Sequence, residues 1–227
     1  MNFRKKLVLP LVYLFLVISF IVLGFFIVTY AAGYTVDFKS RQISSTGLIS
    51  LQVKTGSAQI YLNEKYVGNQ SMVLRSLEDG TYRIVIKKEG YHDWQKTVQL
   101  HEQEALILEN IVLFIKEPTL EQYNSNITVK NLPSMSDQDG LYFNKGEIFN
   151  NDELVTRLSK DVSGVCWFPD QNHIAFTSEG FLQIIDADGN NNIQLIKKDS
   201  NSPVIFTNSG RFVIFENEGK LVKAKIR

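Results

Sequence analysis

The 227 residues carry 24 Lys+Arg and 24 Asp+Glu, a formal net charge of zero, with 44% apolar and 21% charged residues. The balanced charge excludes the general basic footprint of a nucleic-acid binder, and the apolar content excludes a disordered chain. The single cysteine, Cys166, excludes both an intramolecular disulfide and a four-cysteine zinc site.

The average hides a split. The first 34 residues hold Arg4, Lys5 and Lys6 and no acid, leaving 21 bases against 24 acids beyond them, a net of −3. From Leu7 to Val28 the chain runs 22 residues without a charge, and 18 of these are Leu, Ile, Val or Phe. As a helix this segment spans about 33 Å, against a bilayer hydrocarbon core of roughly 30 Å. Its apolar side chains favour insertion by roughly 5 to 9 kcal/mol. The segment predicts one transmembrane helix with the lipid bilayer as its partner, within a stub of residues 1–34. A cleaved secretory signal is the rival reading, because Ala31 and Ala32 follow the apolar run, but a signal core is shorter, about 7 to 15 residues. Tyr30 and Tyr34 fall where an interfacial aromatic belt belongs. The basic cluster before the helix outweighs Lys39 and Arg41 after it, which predicts a cytoplasmic N-terminus and everything from about residue 35 outside.

After a juxtamembrane linker, residues 35–46, a first domain is expected over 47–115. Ile49, Leu51 and Val53 alternate with polar residues; Ala58, Ile60 and Leu62 do the same, as do Tyr82, Ile84 and Ile86, and then Val98 and Leu100. Period two is the strand signature, and the apolar run Leu106 to Phe114 adds a further strand. A small antiparallel β-sandwich accounts for the pattern. Gly80 and Gly90 stand where the chain must reverse. Near 70 residues, without disulfide or metal, such a domain has a marginal core and is expected to lean on a neighbour.

These residues resemble the PEGA domain family. The resemblance is carried by Ser57-Ala58-Gln59-Ile60-Tyr61-Leu62-Asn63-Glu64-Lys65-Tyr66-Val67-Gly68, by Leu77-Glu78-Asp79-Gly80-Thr81-Tyr82, and by Lys87-Lys88-Glu89-Gly90-Tyr91-His92-Asp93-Trp94. Thr55-Gly56-Ser57-Ala58 stands where the family has its Pro-Glu-Gly-Ala, and Asn69-Gln70-Ser71 replaces a Thr-Pro-like turn. The resemblance implies an extracytoplasmic binding or scaffolding module, with surface-layer or carbohydrate association and no enzymatic activity. From the residues themselves, Tyr82, Tyr91 and Trp94 are the candidate ligand-binding side chains, as a stacking platform for a sugar. Core or edge packing is the alternative reading of the same three aromatics.

Residues 116–140, rich in Asn, Ser, Gln and Asp, read as a linker or irregular region. Asn126-Ile127-Thr128 is formally a glycosylation sequon, a pattern too short to carry weight. Over 141–227 an internal repeat follows. Leu141-Tyr142-Phe143 leads to Gly146, Ile174-Ala175-Phe176 to Gly180, and Val213-Ile214-Phe215 to Gly219, the glycines spaced by 34 and 39 residues. That period is near the roughly 40 residues of a propeller blade, but two to three units fall short of the about four to eight that close a ring. The middle copy, from Trp167-Phe168-Pro169-Asp170 through His173 to Asp186-Ala187-Asp188-Gly189-Asn190, resembles a TolB-like β-propeller repeat. Either the sheets stay open and pair with another chain, on edges where a partner can dock, or the region is a reduced sandwich that caps the first domain.

Chemistry-bearing motifs are sparse. Asp186, Asp188 and Asn190 have the spacing of a calcium loop, but Asn191 and Lys197 stand where its Gly and Glu are required, so a hairpin turn is expected. His92, His101 and His173 are scattered, and no phosphate loop, nucleophile elbow or zinc-protease motif is present. No catalytic residue, metal or cofactor is expected. The fold class expected is an all-β exported region, a small antiparallel β-sandwich plus incomplete propeller-like β-repeats, with one N-terminal transmembrane helix. The function expected is that of a membrane-anchored, noncatalytic binding or scaffolding protein of the cell envelope, with an envelope polysaccharide or protein as partner and no nucleic acid. An accessory or sensor subunit of a membrane transport or secretion assembly is the alternative; it requires helix contacts within the membrane, for which Ser19 and Gly24 offer small residues. An envelope hydrolase would require a polar cleft with perturbed acids.

Overall fold

The computed structural model describes residues 3–31, 34–37, 42–123, 135, 140–198 and 203–227. Ala32, Lys39, Arg41 and the sequon at Asn126 lie outside them. The chain is mostly β, in several small sheets, with one N-terminal apolar helix, α1 (Phe3–Ala31). Within α1, Pro10–Thr29 has a mean hydropathy of 3.0 and none of it is buried, so it is long and apolar enough to cross a membrane. The strands are β1 (Tyr34–Asp37), β2 (Gln42–Ser45), β3 (Gly47–Val53), β4 (Gln59–Leu62), β5 (Lys65–Gly68), β6 (Met72–Leu77), β7 (Gly80–Lys87), β8 (Trp94–Leu100), β9 (Ala105–Ile111) and β10 (Leu120–Gln122). They continue as β11 (Leu141–Asn144), β12 (Glu147–Asn150), β13 (Glu153–Arg157), β14 (Val162–Trp167), β15 (His173–Ser178), β16 (Phe181–Asp186), β17 (Ile193–Lys197), β18 (Val204–Thr207), β19 (Phe212–Asn217) and β20 (Lys220–Lys225).

Among the described residues these form sheets ordered β1-β2, β6-β3-β9, β5-β4-β7-β8, β11-β12-β13, β14-β15-β16-β17 and β10-β20-β19-β18. The alternation read along the first domain is the alternation of burial: Ile49, Leu51, Val53, Ile60, Ile84, Ile86, Val98 and Leu100 are all buried. The chain divides into two compact units. One comprises Met1–Leu51, Val73–Tyr82 and Gln99–Leu108, and the other Gln52–Met72, Arg83–Val98 and Glu109–Arg227. In the first, Thr81 Oγ1 donates to Gln99 Oε1 at 2.7 Å, and the Leu48 amide donates to the Glu104 carbonyl at 2.9 Å.

In the second unit the repeat residues build two cores on either side of one sheet. Ile174 and Phe176 of β15 join a cluster with Leu141, Ile148 and Val165, whereas Ala175 joins a cluster with Phe168, Val213 and Phe215. Successive strand residues point to opposite faces, so burial on both sides makes all six residues of β15 buried. Ser178 and Phe181 pair across the Glu179-Gly180 turn, and Asn217 and Lys220 across Glu218-Gly219. Both central residues of each turn have positive φ, 55° and 76° in the one, 52° and 75° in the other. This is the type I′ hairpin, whose twist matches that of its strands. Gly146 turns the β11-β12 hairpin, where Asn144 pairs with Glu147.

One stretch expected to be irregular is not. Leu120–Gln122, inside 116–140, forms β10 and pairs antiparallel with β20, Leu120 opposite Ala224. Three largely exposed residues have too little hydrophobic pattern to announce a strand; the open edge of β20 creates it.

Candidate functional site

The second unit contains a cleft of about 600 Å³. Its wall is assembled from distant parts of the chain: the turn after β3 gives Lys54 and Thr55, the turn after β7 gives Lys88 and Tyr91, the β18-β19 connection gives Asn208, Ser209 and Arg211, and Lys225 and Arg227 come from the end of β20 and beyond it. Backbone bonds fix these pieces. The Lys54 amide donates to the Ile111 carbonyl at 2.8 Å, the Lys116 amide to Gly90 at 3.0 Å, and the Ile226 amide to Arg211 at 3.0 Å. Tyr91 is held by a bridge to Ile115.

Of the three aromatics singled out from the sequence, Tyr91 lines this cleft. Lys88 Nζ stands 4.7 Å over its ring centroid and donates to the Thr55 carbonyl at 2.9 Å. Trp94 is 6% exposed, and its Nε1–H donates to Asp186 Oδ2 at 3.0 Å. Tyr82 lies in the other unit, half-buried, its hydroxyl donating to the Glu78 carbonyl at 2.9 Å. Burial, then the Glu78 charge, holds the Tyr82 phenol above its usual range.

The Asp-rich turn between β16 and β17 is a docking turn. Asp186 accepts from Trp94 and from Asn191 Nδ2, at 3.0 and 2.9 Å; the Gln95 amide donates to Asn191 Oδ1 at 2.9 Å; and Lys96 Nζ meets Asp188 Oδ2 at 2.5 Å. Three consecutive residues of edge strand β8 are thereby seated on one turn. Through these bonds β8 contacts the repeat region. Among the described residues no group of three or more His, Cys, Asp or Glu is arranged to hold a metal.

At the floor of the cleft, Asp170 Oδ2 lies 2.9 Å from His173 Nδ1 and 3.9 Å from Arg227 Nη1. Burial pushes the Asp170 carboxyl upward, but the His173 hydrogen bond and charge, the Asn172 amide and Arg227 outweigh it and hold it below the usual range. His173, buried between Phe114 and Phe168, also faces Asp186 Oδ1 at 3.4 Å. Burial holds Asp186 above the usual range. Cys166 packs against the core, and burial pushes its thiol up to about 12.

Sequence reading reached Tyr91 but not the basic residues around it. Lys54, Lys88, Arg211, Lys225 and Arg227 share no motif or spacing, and the fold alone collects them.

Residues 46–111 match the PEGA domain family. Among solved structures, the chain is similar to an auxiliary nutrient binding protein from Bacteroides thetaiotaomicron VPI-5482, at 10% identity over 81% of this chain and 66% of that one, with a TM-score of 0.20. The chain thus spans just under two thirds of the length of that protein. No curated protein matches the sequence.

Proposed function

We propose that this is a membrane-anchored, extracytoplasmic binding protein of the cell envelope, noncatalytic, with the Tyr91 cleft as its ligand site. The single observation that carries the binding role is an open cleft of about 600 Å³ lined by an aromatic ring and several polar side chains, within the size range of ligand sites, roughly 300–1,000 Å³. An apolar helical span, Pro10–Thr29, preceded by Arg4, Lys5 and Lys6, supports anchoring with the β region outside. The repeat region, read as an incomplete set of TolB-like blades, forms the other wall of the cleft.

A binding role is favoured over a hydrolase by the cleft's chemistry. Glycoside hydrolysis uses two carboxyl groups, one of them protonated. Among the described residues the cleft has one acidic side chain, Asp170, whose carboxyl is held ionised by His173 and Arg227.

Retention of the full chain, in detergent micelles, on immobilised envelope polysaccharide tests the reading. The expected result is saturable retention that falls at least tenfold in Tyr91→Ala with the melting temperature unchanged. Recovery instead of one stoichiometric integral membrane complex, with no polymer retained, would move the function to a transport or secretion assembly. Protease added to intact, wall-stripped cells is expected to digest the β region; full protection removes the extracytoplasmic placement.

A further inference from the structure

We infer that the ligand of the cleft is a glycan bearing oxyanions, carboxylate or phosphate, with a sugar ring against Tyr91 and the charged groups among Lys54, Arg211 and Lys225. This rests on the binding role proposed above and adds the chemical class of the ligand.

Among the described residues the cleft is lined by five cationic side chains and one acidic one, Asp170. Chain composition does not produce this: beyond residue 34 acids outnumber bases, 24 to 21. The cations fall into two groups. Lys88 is spent on the Thr55 carbonyl and the Tyr91 ring, and Arg227 on Asp170, on the Phe168 ring 5.5 Å away and on the Ser209 carbonyl. Asp170 is itself taken up by His173. Lys54, Arg211 and Lys225 remain, exposed and without a carboxylate partner among the described residues.

Holding three unpaired like charges around one concavity costs repulsion. A polar surface that served only solubility would intersperse acids among them. Concave walls of low dielectric also focus the potential of such a cluster on whatever enters. The guanidinium of Arg211 presents a planar fork that matches a carboxylate or phosphate in two hydrogen bonds, and the lysines supply point charges. A tyrosine ring offers an apolar face for the C–H face of a sugar while its hydroxyl stays wet. A bare inorganic anion has no use for the ring, and a neutral sugar has none for the charges.

The test uses the full chain in nanodiscs of zwitterionic lipid and four probes: an oligogalacturonate, a phosphodiester-linked sugar oligomer, a neutral oligosaccharide of equal length, and vesicles containing anionic phospholipid. Binding of one or both charged oligomers is expected, and which one binds identifies the oxyanion. That binding should weaken between 0.01 and 0.1 M salt, as the Debye length falls from about 30 to about 10 Å. It should weaken at least tenfold in Lys54→Gln/Arg211→Gln/Lys225→Gln, and about threefold in Lys225→Gln alone if the triple variant unfolds. Neutralising Lys65, Lys197 and Lys220, exposed residues outside the cleft lining, should leave it intact. Equal affinity for the neutral and charged oligomers, or an undiminished charged-oligomer affinity in the cleft variants, overturns the ligand class while the binding role stands. Binding to anionic vesicles alone assigns the cleft to a membrane surface and overturns it too. No glycan bound at all removes the glycan-binding role with it.

Discussion

Two histidines that share no motif in the sequence end in different electrostatic positions. His173 is buried between two carboxylates, whereas His92 Nε2 is buried with no hydrogen-bond partner among the described residues. Burial, then the Lys116 charge, lowers the His92 pKa, so the folded state prefers the neutral ring. A lowered folded pKa of a base means that stability is lost as pH falls through the ordinary histidine value, about 6.5. Asp170, whose folded pKa is also lowered, contributes stability that is present above the ordinary carboxylate value, about 3.9, and lost below it. Urea unfolding from pH 8 to pH 3 should therefore show two acid-side losses in separate windows. His92→Gln should flatten the one below about pH 6.5, and Asp170→Asn the one below about pH 4. Asp186, with its pKa raised by burial, works against the second loss, since its protonation on acidification relieves a buried charge.

The Glu179-Gly180 and Glu218-Gly219 hairpins of the repeat have turns that demand positive φ at both central positions, and a residue other than glycine occupies the first of each. Glu179 and Glu218 sit at φ 55° and 52° ahead of their glycines, a strain that an L side chain other than Asn or Asp carries poorly. The glycines themselves differ in what surrounds them. A Cβ at Gly219 would meet open space, while one at Gly210, at φ +84°, would collide with the Phe168 ring, 2.7 Å from Cε1. Gly219→Ala is expected to cost about 1 kcal/mol, from backbone conformation alone. Gly210→Ala should cost more, about 2–4 kcal/mol, because a buried ring at the centre of the core must also shift. Denaturant midpoints at constant slope would check both; equal losses would mean that Phe168 yields freely. The Gly146, Gly180 and Gly219 turns were legible from spacing because apolar triplets flank each one. The three-residue β10 was not, because its partner lies about a hundred residues later and its own side chains are exposed.

At the scale of the molecule, the PEGA-like strand β8 and the repeat turn 186–191 are coupled through Trp94, Gln95 and Lys96. Trp94→Phe leaves Asp186 a partly buried carboxylate with one donor fewer, and should cost about 1.5–3 kcal/mol. Combined with Asp186→Asn in a double-mutant cycle, a coupling of about 0.5–3 kcal/mol is expected. Strict additivity would show the contact to be energetically idle.

The apolar helix and the alternating strands were fixed by composition and period, because lipid solubility and one-sided burial are properties of a local stretch of chain. The order of apolar triplets and turns likewise predicted the hairpins, since a two-residue turn is set by its own residues. The docking turn and the basic cleft were decided by tertiary structure. The turn's carboxylates read as a failed calcium loop until Trp94 and Lys96 arrived from 92 residues away. Lys54, Arg211 and Lys225 were three unremarkable surface charges until the sheets brought them to one cleft. Charge acts through space, and position along the chain does not record who the neighbours will be.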